Sequence, residues 1–253
     1  MSRPSLIMGN WKMSLSQVAA MELARELVRD LADAESANDA VRVVLCPSPV
    51  HIAPVATIIA GSALELGAQD CTPHPPGAFT GGTSTGQLGE LGVSWVLVGH
   101  SERRAVFGED DALLAQKFAA VLAAGLRPVL CVGETLAERE AGQTAARISS
   151  QIDSVLPEAA AAEFAVAYEP VWAIGTGVNA RLEDVVEVHA LIRERLDARG
   201  AAGLGERTPI LYGGSVNETN AAEYFGQDEV DGALVGGASL DAVRFGAICS
   251  EAV

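Results

Sequence analysis

Glu169 stands at the end of an apolar run, residues 164–168, and is followed at once by Pro170. Val171, Trp172, Ala173 and Ile174 come next, then Gly175, Thr176 and Gly177. A short apolar run closed by a breaker reads as a buried strand, so Glu169 lies where the chain leaves the core. Proline stiffens that exit and the glycines free the backbone beyond it, which suits residues 170–176 to close over a site as a lid. Other apolar runs also end in residues with chemical capacity. Residues 5–9 lead into Asn10, Trp11 and Lys12, and residues 93–98 into Gly99, His100, Ser101 and Glu102. Residues 209–212 lead into Gly213-Gly214-Ser215, and residues 232–235 into Gly236-Gly237. A carboxylate can take a proton, an imidazole can donate one, and an ammonium can stabilise an anion. Glycine-rich turns let main-chain N–H groups approach phosphate. Each feature alone has an ordinary reading as a solvated acid, a satisfied histidine, a surface charge or a tight turn. Their recurrence at the ends of strands is what joins them.

The elements that must position these residues alternate along the chain. Apolar runs at 5–9, 41–46, 63–68, 93–98, 128–132, 164–168, 209–212 and 232–235 read as strands. Helical spacing follows at 17–31, 51–60, 110–124, 136–156, 182–198 and 219–225, with a short helix over 87–92 and a last one after Gly237. The proline- and glycine-rich stretch 73–86 is read as holding no element. Strict βα alternation implies parallel strands with right-handed crossovers. Eight units in 253 residues predict one α/β domain over 1–253, a closed (β/α)8 barrel. An open doubly wound sheet is the alternative, but no G-x-G-x-x-G follows the first run. In such a barrel the carboxyl ends of the strands carry the active site, and the last two turns often hold phosphate.

Composition narrows the function. The formal net charge of −16 argues against nucleic-acid and anionic-membrane partners. An anionic substrate then needs local donors. The chain has fifteen Arg but only two Lys, Lys12 and Lys117, so a compact ammonium at position 12 invites a role of its own. Cys46, Cys71, Cys131 and Cys249 are widely spaced, without zinc-ligand or disulfide spacing, which predicts reduced thiols in a cytoplasmic protein and no metal site built on them. No run is long enough to span a membrane.

Asn10-Trp11-Lys12, the 99–104 segment, the 167–177 segment, Tyr212-Gly213-Gly214-Ser215 and the 231–237 segment together resemble the triosephosphate isomerase family, in order and at spacing, from Gly9 to Ser239. The resemblance implies the TIM barrel fold and a cofactor-free aldose–ketose isomerase passing through an enediolate. It implies Glu169 as the base, His100 as a neutral electrophile beside a helix start, Lys12 and Asn10 as stabilisers of negative charge, and Glu102 as the acid near Lys12. It assigns phosphate to the N–H groups of Gly175, Ser215, Gly236 and Gly237, and a lid to Pro170, Val171, Trp172, Ala173, Ile174, Gly175 and Thr176. It further implies a homodimer whose 73–82 loop carries Thr80 toward the partner.

Three positions depart from the family pattern. Ser14 replaces Asn, Gly82 replaces an acid that would pair with Arg103 across a dimer, and Val178 replaces a lid-hinge Lys. They raise the alternative of a related enzyme isomerising a four-carbon ketose phosphate. A Schiff-base aldolase with Lys12 as nucleophile and a non-catalytic sugar-phosphate binder are the other classes weighed.

Overall fold

The structure is a computed structural model; it describes residues 3–31, 41–157, 163–174, 180–199 and 202–252. Eight parallel strands close on one another in sequence order: β1 (Ser5–Asn10), β2 (Val41–Cys46), β3 (Glu65–Ala68), β4 (Val93–Val98), β5 (Arg127–Val132), β6 (Ala165–Tyr168), β7 (Ile210–Tyr212) and β8 (Gly232–Val235). β1 pairs with both β2 and β8, so the sheet has no free edge. The open-sheet alternative is thereby set aside.

Strand residues alternate between two cores. Leu6, Met8, Val44, Cys46, Leu97, Val129, Cys131, Ala165, Ala167, Leu211 and Leu234 fill the barrel interior. Their neighbours Ile7, Leu45, Val96, Leu130, Val166 and Ile210 pack outward against the helices. Burial on both faces explains why these strands read as unbroken apolar runs. The amino-terminal mouth is closed by charge: Trp95 lies between the guanidinium groups of Arg42 and Arg127, at 5.0 and 5.3 Å, and donates its indole N–H to Glu65 at 3.1 Å. The carboxyl mouth is left for function.

The helices are α1 (Gln17–Asp30), α2 (Ile52–Ile59), α3 (Thr85–Glu90), α4 (Ser101–Phe107), α5 (Asp111–Ala123), α6 (Leu136–Glu140), α7 (Thr144–Val155), α8 (Leu182–Ala198), α9 (Leu204–Arg207), α10 (Ala221–Phe225) and α11 (Ala242–Ser250). Several differ from the sequence-based expectation. The helix read over 136–156 is two, α6 and α7, separated by a turn at Gly142. α3 begins at Thr85, inside the stretch expected to hold no element, because Ser84 and Gln87 form a reciprocal capping box. α4 and α9 are additional, and too short to show helical periodicity in sequence. Gly200, the residue whose type would end the helix read over 182–198, lies outside the described residues.

Lys117 on α5 is buried, with its Nζ 2.6 Å from both Asp70 Oδ1 and Glu109 Oε1; Arg103 joins the same two carboxylates. The chain's second lysine is thus part of a balanced buried cluster of two cations and two anions. Removing one member of such a cluster leaves a buried charge uncompensated. Lys117→Met is expected to lower stability by about 3 kcal/mol, read from the urea unfolding midpoint.

Candidate active site

The inward register of the strands carries on past their ends. Asn10 follows Leu6 and Met8, Glu169 follows Ala165 and Ala167, Gly213 follows Leu211, and Gly236 follows Leu234, each two positions on. These residues therefore collect at the carboxyl mouth. There they line one cleft of about 330 Å³ together with Lys12, His100, Ser215 and Gly237.

Glu169 is buried and its backbone is clamped. Its N–H donates to Val132 O at 2.7 Å, and Gly213 N–H donates to Tyr168 O at 2.7 Å. A Cβ on Gly133 would stand 1.8 Å from Glu169 O, and one on Gly213 would stand 2.8 Å from Glu169 Cγ. Only glycine fits on either side. The carboxylate accepts from His100 Nε2 at 2.9 Å and from the main-chain N–H of Ser101 at 2.7 Å. Burial works against its charge, but the His100 ring and the Ser101 N–H outweigh burial and hold its pKa below the ordinary 4.5.

His100 is the N-cap of α4, reached through Gly99 in the left-handed region at φ 78°. Its Nδ1 accepts the Glu102 N–H at 3.2 Å, the pattern of a neutral ring with its proton on Nε2. Burial also opposes charge on the ring. The Glu169 carboxylate pulls the other way and raises the pKa above 6.5. The contact at Nδ1 suits the neutral ring expected of His100, while the Glu169 carboxylate at Nε2 favours the charged form.

Lys12 is the single non-glycine with positive φ among the described residues, at 49°. Asn10 Oδ1 accepts the Lys12 N–H at 3.1 Å, and Gln69 Nε2 donates to Lys12 O and to Cys46 O, both at 2.9 Å. Neighbours on β1, β2 and β3 thus hold this strained turn, a form of local strain concentrated at functional sites. Lys12 Nζ is ion-paired with Glu102 Oε1 at 2.6 Å. That is not the apolar setting a nucleophilic amine needs, which disfavours the aldolase alternative.

At the two glycine-rich turns, no acceptor among the described residues takes the main-chain N–H of Ser215 or Gly237. The first half of the expected lid, Pro170 to Ile174, begins with a turn over Val171–Ala173. Ser215 Oγ donates to Ala173 O at 3.1 Å. Gly175 and Thr176, expected in the lid and the phosphate grip, lie outside the described residues, as do Gly177, Val178 and Asn179. Thr80 is exposed on its loop and does not line its own chain's cleft. Gly82 does not line it either, and Arg103 is paired within the chain to Asp70 and Glu109.

Sequence reasoning missed the residues that brace the site. Glu134 is buried; its Oε1 accepts from Tyr168 OH at 3.1 Å and from Trp172 Nε1 at 2.9 Å, and its carbonyl accepts the Val171 N–H at 3.1 Å. Arg139 lies over Trp172 at 4.8 Å and pairs with Asp184 at 2.8 Å. Gln69 is the other omission. Glu134 does follow Gly133 at the end of the fifth apolar run, which was the available signal. Among the described residues no group of three or more His, Cys, Asp or Glu is placed to hold a metal ion.

A carboxyl held below its ordinary pKa stabilises the folded chain above about pH 4.5, and that stabilisation fades as pH falls through the lowered value. By ¹³C NMR of labelled glutamate, Glu169 is expected to titrate below 4.5 in the parent chain. In His100→Ala, burial becomes the largest remaining influence and the titration is expected to move above 4.5.

With this geometry in view, comparison with known proteins is consistent along the whole chain. The Triosephosphate isomerase family profile matches residues 5–252. The chain is 50% identical to the triosephosphate isomerase of Dechloromonas aromatica over 256 residues, covering 99% of each chain. It is 48% identical to that of Pseudomonas aeruginosa, covering 100% of this chain and 99% of the relative. The crystal structure of triosephosphate isomerase from Bartonella henselae superposes with a TM-score of 0.86 at 36% identity, covering 98% of both chains. The chain belongs to the triosephosphate isomerase family.

Proposed function

We propose that this chain interconverts dihydroxyacetone phosphate and glyceraldehyde 3-phosphate, with Glu169 moving the proton between the adjacent carbons. The observation that carries the reading is the buried Glu169–His100 pair, 2.9 Å apart, in one cleft with Lys12 and two glycine turns. The full-length relatives named triosephosphate isomerase support the three-carbon substrate. No observation favours the four-carbon alternative. A non-catalytic binder would need the phosphate grip but not the clamped base.

The chemistry follows from the contacts. In this arrangement both Glu169 oxygens are occupied, by His100 Nε2 and by Ser101 N–H. To act as base, the carboxylate leaves these donors and turns to the substrate carbon. That step frees the Nε2–H of His100 to donate to the substrate oxygens, where charge builds in the enediolate. Asn10 and Lys12 offset that charge from the opposite wall, with Glu102 holding the ammonium. The N–H groups of Ser215, Gly236 and Gly237, joined by that of Gly175, hold the phosphate at no cost in side-chain ordering. Closure of residues 170–176 excludes water, which strengthens these contacts and hinders phosphate loss from the intermediate. The proton transfer requires no cofactor. Membership of the family supports a role in glycolysis and, by reversal of the same step, in gluconeogenesis.

We further infer a homodimer in the cytoplasm. Met13, Phe79, Val106 and Phe107 are large exposed apolar residues near or on the first and third loops and α4. Phe79 stacks on His74 at 4.1 Å and presents Thr80 outward, so a second copy would receive Thr80 near Asn10 and Lys12. Four buried, unpaired cysteines suit a reducing compartment, and no described helix is long and apolar enough to cross a membrane.

Glu169→Gln is expected to lower kcat by about 10² to 10⁴ with KM little changed, measured in a coupled assay in both directions. Near-normal turnover would sink the assignment. Thr80→Arg is expected to shift the protein from dimer to monomer by light scattering and to lower kcat. A parent chain that is monomeric throughout would refute the dimer.

A further inference from the structure

The phosphate end of the cleft holds a cation that the reading above does not use. Arg244, in the first turn of α11, lines it with Ser215, Asn217, Gly236 and Gly237. Its Nε lies 3.1 and 3.0 Å from the two carboxylate oxygens of Glu218, on the loop that follows Ser215. Both side chains are partly exposed. Apart from His100, the cationic side chains lining the cleft among the described residues are Lys12 and Arg244, and Lys12 is engaged by Glu102. The chain as a whole carries −16, so a phosphate dianion approaches against a repulsive field.

Resting on the isomerase reading, we propose that Arg244 is a specificity-determining cation for the dianionic end of the substrate, and that Glu218 is a resident carboxylate competing with it. A guanidinium presents the same fork to a carboxylate and to a phosphate. Exchange of one for the other therefore needs only a side-chain rotation. The resident carboxylate sets how much of the Arg244 charge an incoming anion sees. Glu218 thus weakens phosphate binding, and Arg244 strengthens it.

This role is separable from a structural one. An exposed ion pair contributes little to the fold. Substituting either partner breaks the same pair, so a pair that only holds α11 against the neighbouring loop gives shifts of the same sign from both. A charge role gives opposite signs.

The test uses the full chain and two single variants, Arg244→Gln and Glu218→Gln. Inorganic phosphate affinity is measured by calorimetry, and kcat and KM for glyceraldehyde 3-phosphate by coupled assay. Arg244→Gln is expected to raise the phosphate Kd and the KM by about threefold to tenfold, with kcat within about twofold. Glu218→Gln is expected to lower both by about twofold to fivefold, and both shifts shrink at high ionic strength. Shifts of the same sign in the two variants, or none in either, overturn the proposal. The calorimetric readout is independent of turnover. Opposite phosphate shifts in a chain that does not isomerise triose phosphates would therefore sink the isomerase reading and leave the Arg244 assignment standing.

Discussion

The backbone at Glu169 runs between two glycines that leave no room for a side chain. Gly133 on one flank and Gly213 on the other bring β5 and β7 so close that any Cβ would overlap Glu169 or Tyr168. The chain around the carboxylate is thereby immobilised by packing and by the strand ladder on both sides. A positioned base must hold its orientation to within a fraction of an ångström. Here the positioning belongs to the barrel rather than to a loop. The carboxylate end is held instead by hydrogen bonds to His100 and Ser101.

Charge is handled by pairing throughout. The buried Lys117 and Glu109 and the partly buried Arg103 and Asp70 balance one another, as do Arg42, Arg127, Glu65 and Glu163 around the closed mouth. In the cleft the same rule gives Lys12 with Glu102 and Arg244 with Glu218. A strongly acidic chain can thus present donors to an anion, because main-chain N–H groups carry partial charge without adding a counter-charge that must be desolvated. The cations stay available because their partners are partly exposed and can be exchanged.

Residues 170–174, the described part of the proposed lid, are tied to three supports. Glu134 holds its start through Val171 N–H and Trp172 Nε1. Arg139 links Trp172 to Asp184 in the first turn of α8, beyond the lid's far end. Ser215 reaches Ala173 from the phosphate turn. The described end of this segment is therefore tied to the turn that carries Ser215.

The amino-acid sequence by itself determined the barrel and the roll of the mouth. Apolar runs with breakers at their ends mark strands buried on both faces, and eight βα units leave few topologies. Glu169, His100, Lys12, Ser215, Gly236 and Gly237 were legible for the same reason: each lies within three residues of the end of a strand, and so near the rim. Short elements were not legible. α4 and α9 have too few residues to show a period, and the turn at Gly142 splits a pattern that looks continuous. Only the tertiary structure decided what braces the site. Gln69, Glu134 and Arg139 act across 57, 38 and 45 residues or less of chain, on atoms that no local pattern connects to them. It also decided that Arg103, which Gly82 was read as leaving without an ionic partner across a dimer, pairs with Asp70 and Glu109 within the chain. Spacing along a chain reports which side of a strand a residue takes; which other strand's residue it meets depends on closure of the barrel, and that is a property of all eight strands together.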